Sequence, residues 1–487
     1  MSSADRFREI RSGIAEISGD VSNDAVGDRT PKLEDIFAPE THAAALNPST
    51  PIVVGSRGTG KSFWSGVLGQ DDTRVAAAKA YPKLGLQKLK VYFGFTGIGG
   101  PDGIGSEELN SLVAPSANVE QAKVFWWASI LRAAARSSGD TSARVRAFMD
   151  IARDFEKREE LLLQHETRFR ESGQMLLVVY DALDMVATSW PRRRLLTEGL
   201  IEVAWAMRAF RAIKLKLFLR PDQIDDDALR FVELPKLRTG AVRLEWTSAD
   251  LYGLLFSRLA LSQDESCKKA FEQLLRKNGI QPASRDEILS RRWKLSHDYT
   301  EQARVMEQIA GPFMADGPYG YKKGKTYDWP ITHLSDAHQE VTPRSFLGLM
   351  IAAAGFGAAP IDRVITAEGI RHGLRAASKT RVDQLHQEFP WIKGVLAPLA
   401  GLLLPQSEKE VYKAWKRAKT IESLLADAST SNYLPPFSTP GRESEGDLFV
   451  ALERIGVMFR RKDNRIDMPD LFRVAAKLLK KGSTAPI

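Results

Sequence analysis

The period of apolar positions changes along this chain. From about residue 50 to 245, short apolar runs alternate with longer stretches where apolar residues recur at helical spacing. The runs are "TPIVVG", "LKVYFGF" (89–95), "MLLVVYD" (175–181), "IKLKLFLR" (213–220) and "AVRLEW" (241–246). "MLLVVYD" has no polar alternation, which suits a central parallel strand covered on both faces. Between the runs, "AKVFWWASILRAAAR" and "RRLLTEGLIEVAWAMRAFRA" read as helices. Strands separated by helices predict an α/β domain with a parallel sheet and helices on both faces. From 247 the pattern is almost wholly helical. "TSADLYGLLFSRLAL" opens that region with a capping signal, Thr247 or Ser248 ahead of an acidic residue and an apolar face.

The ends read differently. Residues 1–49 hold two short helical patterns, "RFREIRSGIAEI" and "KLEDIFAPETHAAAL", around the polar "SGDVSNDAVGDRTP". "STSNYLPPFSTPGRESEG" (429–446) is rich in Ser, Pro and Gly and reads as a linker. A helix "DLFVALERIG", a hairpin around Asp463-Asn464 and a helix "PDLFRVAAKLLKK" follow, and predict a winged-helix-like end. The expected division is an N-terminal segment (1–49), a nucleotide-binding α/β domain (50–246), a helical lid (247–360) and a helical C-terminal region (361–487) with its tail from about 446.

Composition narrows the class. The 487 residues exceed one simple core, and 43% hydrophobic with 27% charged residues is ordinary for a globular protein. No apolar run approaches the roughly 18 residues that cross a bilayer, and "MSSADRFREI" lacks the apolar stretch of a signal peptide. Cys267 is the single cysteine, so neither an internal disulfide nor a Cys-based zinc site is expected. These features predict a cytoplasmic protein with no membrane association. The net charge of +8 is compatible with a nucleic-acid partner without requiring one.

The sharpest chemistry is "GSRGTGKS" (55–62), a full G-x-x-x-x-G-K-[ST] phosphate loop between an apolar strand and an amphipathic helix. Gly55, Gly58 and Gly60 permit backbone conformations that turn main-chain N–H groups towards phosphate oxygens. Ser56, Arg57 and Thr59 complete the loop, and Phe63 follows in the first helical turn, whose positive end faces the anion. Lys61 can reach the β- and γ-phosphates of ATP, and the Ser62 hydroxyl can ligate Mg²⁺. "LLVVYDALD" supplies acidic partners. Asp181 ends a strand, where it can hold Mg²⁺ through water. Asp184 can position or activate the attacking water, or else cap the next helix. In "LKLFLRPD", Arg220 follows a strand directly. It can sense the γ-phosphate or stabilise transition-state charge, or else pair with Asp222.

These three pieces resemble the core of signal-transduction P-loop ATPases, the STAND group with its NACHT and KAP relatives; the origin-recognition branch of AAA+ ATPases is a near neighbour. The resemblance covers roughly residues 50–355 and implies a Mg²⁺-dependent ATPase. It assigns Lys61, Asp181, Asp184 and Arg220 to catalysis and Ser62 and Asp181 to the metal. "TPRSFLGLMIAAA" (342–354) is similar to a Pro-Arg pair opening a lid helix, which implies a phosphate contact for Arg344, with a surface salt bridge as the alternative. Unlike typical STAND proteins, the chain has no visible repeat array. That favours a subunit of a homo- or hetero-oligomer working with a separate protein effector. The tail resembles bacterial P-loop proteins of anti-phage systems, and the alternative is a DNA-binding ATPase of the origin-recognition or transposition-regulator type.

Other features are weaker. One of Arg192, Arg193 and Arg194 can act on a neighbouring subunit's nucleotide, or the three simply form a solvated basic helix start. Arg460, Arg461, Lys462 and Arg465 surround the tail hairpin as phosphate contacts or as solubilising charge. His333 and His338, five apart with Asp336 between, read as a loop before a lid helix, with a metal site as the alternative. Phe125, Trp126 and Trp127 are expected to pack in a core, with a partner-binding patch as the alternative.

Overall fold

The computed structural model describes residues 2–17, 31–100, 103–187, 189–224, 229, 231–431, 433, 435–437 and 443–486. Most of the polar segment 18–31 and part of the linker 429–446 lie outside the described residues. The chain forms two compact units. One comprises residues 24–245 with 289–291, and the other residues 1–23, 246–288 and 292–487.

The first unit is built on five parallel strands: β1 (Ile52–Val54), β2 (Leu89–Phe95), β3 (Met175–Tyr180), β4 (Ile213–Leu219) and β5 (Val242–Arg243). Their order is β2-β3-β4-β1-β5. The register sets Val53 beside Phe218 and Val242, and Tyr180 beside Leu217. Side chains alternate between faces, as the pleat dictates. Ile52, Val54, Leu176, Val178, Leu215 and Leu217 pack on one side with the helices Val119–Ser137 and Trp190–Ala206. Val53, Leu177, Val179 and Phe218 pack on the other with Trp64, Val67 and Leu68. Both faces are therefore covered, and the unit is a three-layer α/β fold.

Phe125, Trp126 and Trp127 are all buried, and Trp126 Nε1 donates to the Leu196 carbonyl at 2.9 Å. Their role is packing, with the indole N–H satisfied as a buried one must be.

Two residues hold the entry to β1. Lys216 lies within central β4 and is completely buried. Its Nζ donates to the carbonyls of Ala45 (2.6 Å), Asn47 (3.0 Å) and Thr50 (2.8 Å). Burial pushes its ammonium down to about 7, whereas three carbonyls match the three N–H donors of the charged form. His42 is also fully buried. Its Nδ1 accepts from Trp64 Nε1 at 3.0 Å, so its Nε2 carries the hydrogen and donates to the Glu245 carbonyl at 3.1 Å. The single helix expected over "KLEDIFAPETHAAAL" is two pieces, a 3-10 turn Leu33–Asp35 and a helix His42–Leu46. Pro39 lies between them and disfavours helical backbone at Ala38.

The second unit is helical. The helix Ser3–Glu16 packs on Glu265–Lys277 and Pro343–Gly355. A Cβ at Gly13 would meet Cys267 Sγ at 2.1 Å, so glycine permits this approach. Burial pushes the Cys267 thiol up to about 12. The helix Ser248–Ala260 carries the expected cap: Thr247 Oγ1 accepts from the Asp250 N–H, and the Asp250 carboxylate accepts from the Thr247 N–H, both at 3.1 Å. Among the described residues no helix is long and apolar enough to cross a membrane.

The C-terminal part is winged-helix-like. Strand β6 (Leu403–Leu404) leads to Gln406, a helix Glu408–Arg417 follows, and a helix Glu445–Arg454 runs into the antiparallel hairpin β7 (Phe459–Arg460) and β8 (Ile466–Asp467). Asn464 adopts φ 64° in the turn, a conformation asparagine tolerates. Gln406 and Ile466 exchange backbone hydrogen bonds of 2.9 and 2.8 Å, so the hairpin's third partner lies well upstream of the linker. The last predicted helix is corrected: only Asp470–Arg473 is helical, and β9 (Leu479–Lys480) pairs parallel to β6. Arg473 explains the break. Its fully buried guanidinium donates to Asp470, to the Leu478 and Thr484 carbonyls and to Ser483, which folds the tail back around it.

Candidate nucleotide-binding site

The phosphate loop, Asp181, Asp184 and Arg220 all lie within the α/β unit. β1 ends at Val54, and the Gly55 N–H donates to the Leu219 carbonyl at 3.0 Å, tying the start of the loop to the end of β4. Gly58 and Gly60 adopt φ of 86° and 101°. These left-handed conformations are costly for any residue with a Cβ. At Gly55 the constraint is space, because a Cβ would sit 2.4 Å from Thr59 Oγ1. That hydroxyl donates to the Ser56 carbonyl at 2.8 Å and closes the loop on itself. The helix Lys61–Gly69 starts directly after Gly60, leaving its first-turn N–H groups towards the loop. Lys61 Nζ lies back across the loop, donating to the carbonyls of Gly55 (2.6 Å) and Ser56 (3.1 Å).

The strand order brings the acidic residues in. β4 separates β1 from β3, and Asp181 immediately follows β3. The Asp181 N–H donates to the Phe95 carbonyl at 3.0 Å, fixing the strand end. Its side chain is buried and hydrogen-bonds with Ser62. Burial raises the Asp181 carboxyl above its ordinary range, opposed by the Ala182 N–H, the Ser62 hydroxyl and the charge of Lys61. A hydroxyl beside a carboxylate is a hard-oxygen pair of the type that suits Mg²⁺. Ser62, Asp181 and Lys61 are thus brought together.

Arg220 follows β4 and is buried. It forms a two-bond fork with Asp222, Nε to Oδ1 at 3.0 Å and Nη2 to Oδ2 at 2.9 Å. Nη1 reaches Asp184 Oδ2 at 3.5 Å. Asp222 therefore pairs with Arg220, as one of the two sequence readings has it, and Nη1 faces Asp184. Asp184 sits in a 3-10 turn, Leu183–Met185, after Ala182 at φ 53°. It does not cap the helix Trp190–Ala206, whose N-cap residue is Ser189.

Sequence reasoning did not foresee Arg193 here. Its Nε and Nη2 donate to the Ala187 carbonyl at 3.3 and 3.1 Å, and it feels the charges of Arg220, Asp184 and Asp222. Burial, followed by the neighbouring Arg220, pushes its guanidinium down from its ordinary value. Two guanidiniums and two carboxylates thus form one cluster. Arg192 donates to the Ala114 and Val113 carbonyls and to Asn110.

Arg344 is the second residue of the helix Pro343–Gly355, in the helical unit. Among the described residues no group of three or more His, Cys, Asp or Glu is placed to hold a metal. His333 instead stacks on Trp329 and lies 3.6 Å from Asp470, and His338 contacts the Arg454 carbonyl.

No family model and no curated protein matches the chain. Among solved structures it is similar to the ORC2 protein of Aeropyrum pernix, determined as ADPNP–ADP complexes. The identity is 12%, the alignment covers 92% of this chain and 94% of that one, and the TM-score is 0.39. At that score no residue-level correspondence follows.

Proposed function

We propose that the protein is a Mg²⁺-dependent ATPase that works as a nucleotide-driven switch. The observation carrying this reading is the assembly of a complete phosphate loop with Asp181 hydrogen-bonded to Ser62 and Arg220 beside Asp184. Gly55, Ser56, Arg57, Gly58, Thr59 and Gly60 present the loop backbone to the phosphates, with Ser62 and Phe63 opening the helix behind it. Lys61 leaves its two carbonyl partners to bind the β- and γ-phosphates. Ser62 and Asp181 would hold Mg²⁺, which would neutralise phosphate charge. Asp184 orients the attacking water and accepts its proton. Arg220, aimed by Asp222, exchanges Asp184 for the γ-phosphate and so reports whether it is present. Arg344 is a further candidate phosphate contact, on the resemblance of its Pro-Arg pair alone.

The switch would serve an assembly with a separate protein effector, of the kind the STAND-like motifs imply, such as a bacterial anti-phage complex in the cytoplasm. The winged-helix-like end favours a second reading, an ATPase acting on DNA in the manner of origin-recognition proteins. Hydrolysis by purified protein, with and without duplex DNA, separates them. Stimulation by DNA supports the second. Hydrolysis indifferent to DNA, with stable co-purification of one unrelated protein, supports the first.

A further inference from the structure

We infer that the loop 311–327 of the helical unit is a contact surface for single-stranded nucleic acid. It joins the helices Tyr299–Ala310 and Asp328–Leu334 and has a firm base and an open tip. At the base, Met314 is buried, its N–H donates to the Gly324 carbonyl at 2.9 Å, and the Thr326 N–H donates to the Pro312 carbonyl at 3.2 Å. Arg371 donates to the Met314 carbonyl from the neighbouring helix Ala367–Glu388. Tyr327 is buried beneath, stacked 4.1 Å from Tyr252. Gly320 is required where the loop doubles back, since a Cβ there would meet the Ala315 carbonyl oxygen at 2.2 Å.

The tip reads "GPYGYKKGK" (317–325), with three lysines and no acid. Tyr319 is 68% and Tyr321 58% exposed. Lys322 Nζ lies between them, 4.9 Å from one ring centroid and 5.9 Å from the other. Lys322, Lys323 and Lys325 are all exposed, and none of the three makes an ion pair among the described residues. The one nearby acid of the loop, Asp316, is paired with Arg363 at 3.2 Å.

The tail hairpin makes the contrast. Arg460 pairs with Glu408, Arg461 with Asp467 and Arg465 with Asp463. Its positive charge is largely neutralised internally, whereas that of the loop is not. Exposed rings interleaved with unpaired cations are the two components of single-strand binding: rings stack on bases and lysines track phosphates. A pre-ordered loop loses little entropy on binding.

The test is anisotropy of a fluorescein-labelled 30-nucleotide oligothymidylate with the full-length protein, from 50 to 200 mM salt. Tyr319→Ala/Tyr321→Ala should weaken binding about tenfold or more with the salt slope unchanged. Lys322→Ala/Lys323→Ala/Lys325→Ala should weaken it and reduce the slope of log K against log salt by about 2. Arg461→Ala/Lys462→Ala in the hairpin should leave affinity within twofold, and all variants should keep the wild-type melting temperature. The inference is overturned if wild type does not bind at 50 mM salt, or if the loop variants bind as wild type does. It is equally overturned if the loop variants lose more affinity for duplex of the same length than for the single strand. None of these outcomes depends on ATP hydrolysis.

Discussion

Arg220 and Asp222 are joined by two parallel hydrogen bonds of 3.0 and 2.9 Å, and a third nitrogen of the guanidinium, Nη1, lies 3.5 Å from Asp184. A buried arginine fixed in this way can rotate little. It can respond to a phosphate by releasing one carboxylate while keeping the other. Arg220→Ala should therefore retain ATP binding within several-fold and lose turnover by about 10²–10³-fold. Asp184→Ala should bind ATP and lose turnover by a similar factor. Asp222→Ala should fall between these variants and wild type. Equal turnover in wild type and Asp184→Ala, in a single-turnover assay, would remove Asp184 from the chemistry.

Gly60 offers a cleaner test of the loop. Nothing lies within 4 Å of the position a Cβ would take, but φ is 101°. Gly60→Ala thus introduces strain without a clash, costing about 1–2 kcal/mol. Nucleotide affinity, measured by titration calorimetry, should drop about tenfold while the melting temperature of the nucleotide-free protein falls by only a few degrees. An unchanged affinity would mean that the loop does not need this backbone to bind.

His42 makes stability depend on pH. Burial lowers it from 6.5 to about 4, and its Nδ1 must stay unprotonated to accept from Trp64. Below pH 6.5 the unfolded chain takes up a proton that the folded protein refuses until about pH 4. Stability should be full above 6.5 and fall as pH drops towards 4, by about 3 kcal/mol. His42→Gln should be less stable at pH 7.5 and should lack this component between pH 6.5 and 4.5 in urea unfolding. Parallel curves for variant and wild type would contradict it.

Lys216→Met keeps the shape but leaves the carbonyls of Ala45, Asn47 and Thr50 without their shared donor. Losing donors to buried acceptors costs about 1–3 kcal/mol each, partly recovered here because no charge is buried. A net loss of about 2 kcal/mol is expected in chemical denaturation. A more stable variant would show that the buried charge, rather than the missing donor, dominates.

Local patterns made much of the α/β unit readable. The runs 89–95, 175–180 and 213–219 are strands because their apolar side chains fill two helical layers, and "GSRGTGKS" carries its own backbone requirements in its glycines. Asp222 was visible as a partner for Arg220 because it is two residues away. What stayed hidden depends on distant pairing. Lys216 looks like a polar position of a half-exposed strand until residues 45–50 close over it. His42 and Trp64 meet across 22 residues. The segment after Pro469 has a helical apolar period, but burial of Arg473 and pairing of Leu479 beside β6 override it. Arg193 joins the Asp184 cluster only because the helix Trp190–Ala206 is docked on the sheet.

The most direct test is steady-state ATP hydrolysis by the purified protein with Mg²⁺, beside Lys61→Ala and a wild-type sample in excess EDTA. Slow hydrolysis by wild type is expected, with none above background in Lys61→Ala or in EDTA, and loss of nucleotide binding in Lys61→Ala. Absence of ATP binding by wild type, or hydrolysis that survives Lys61→Ala, would contradict it.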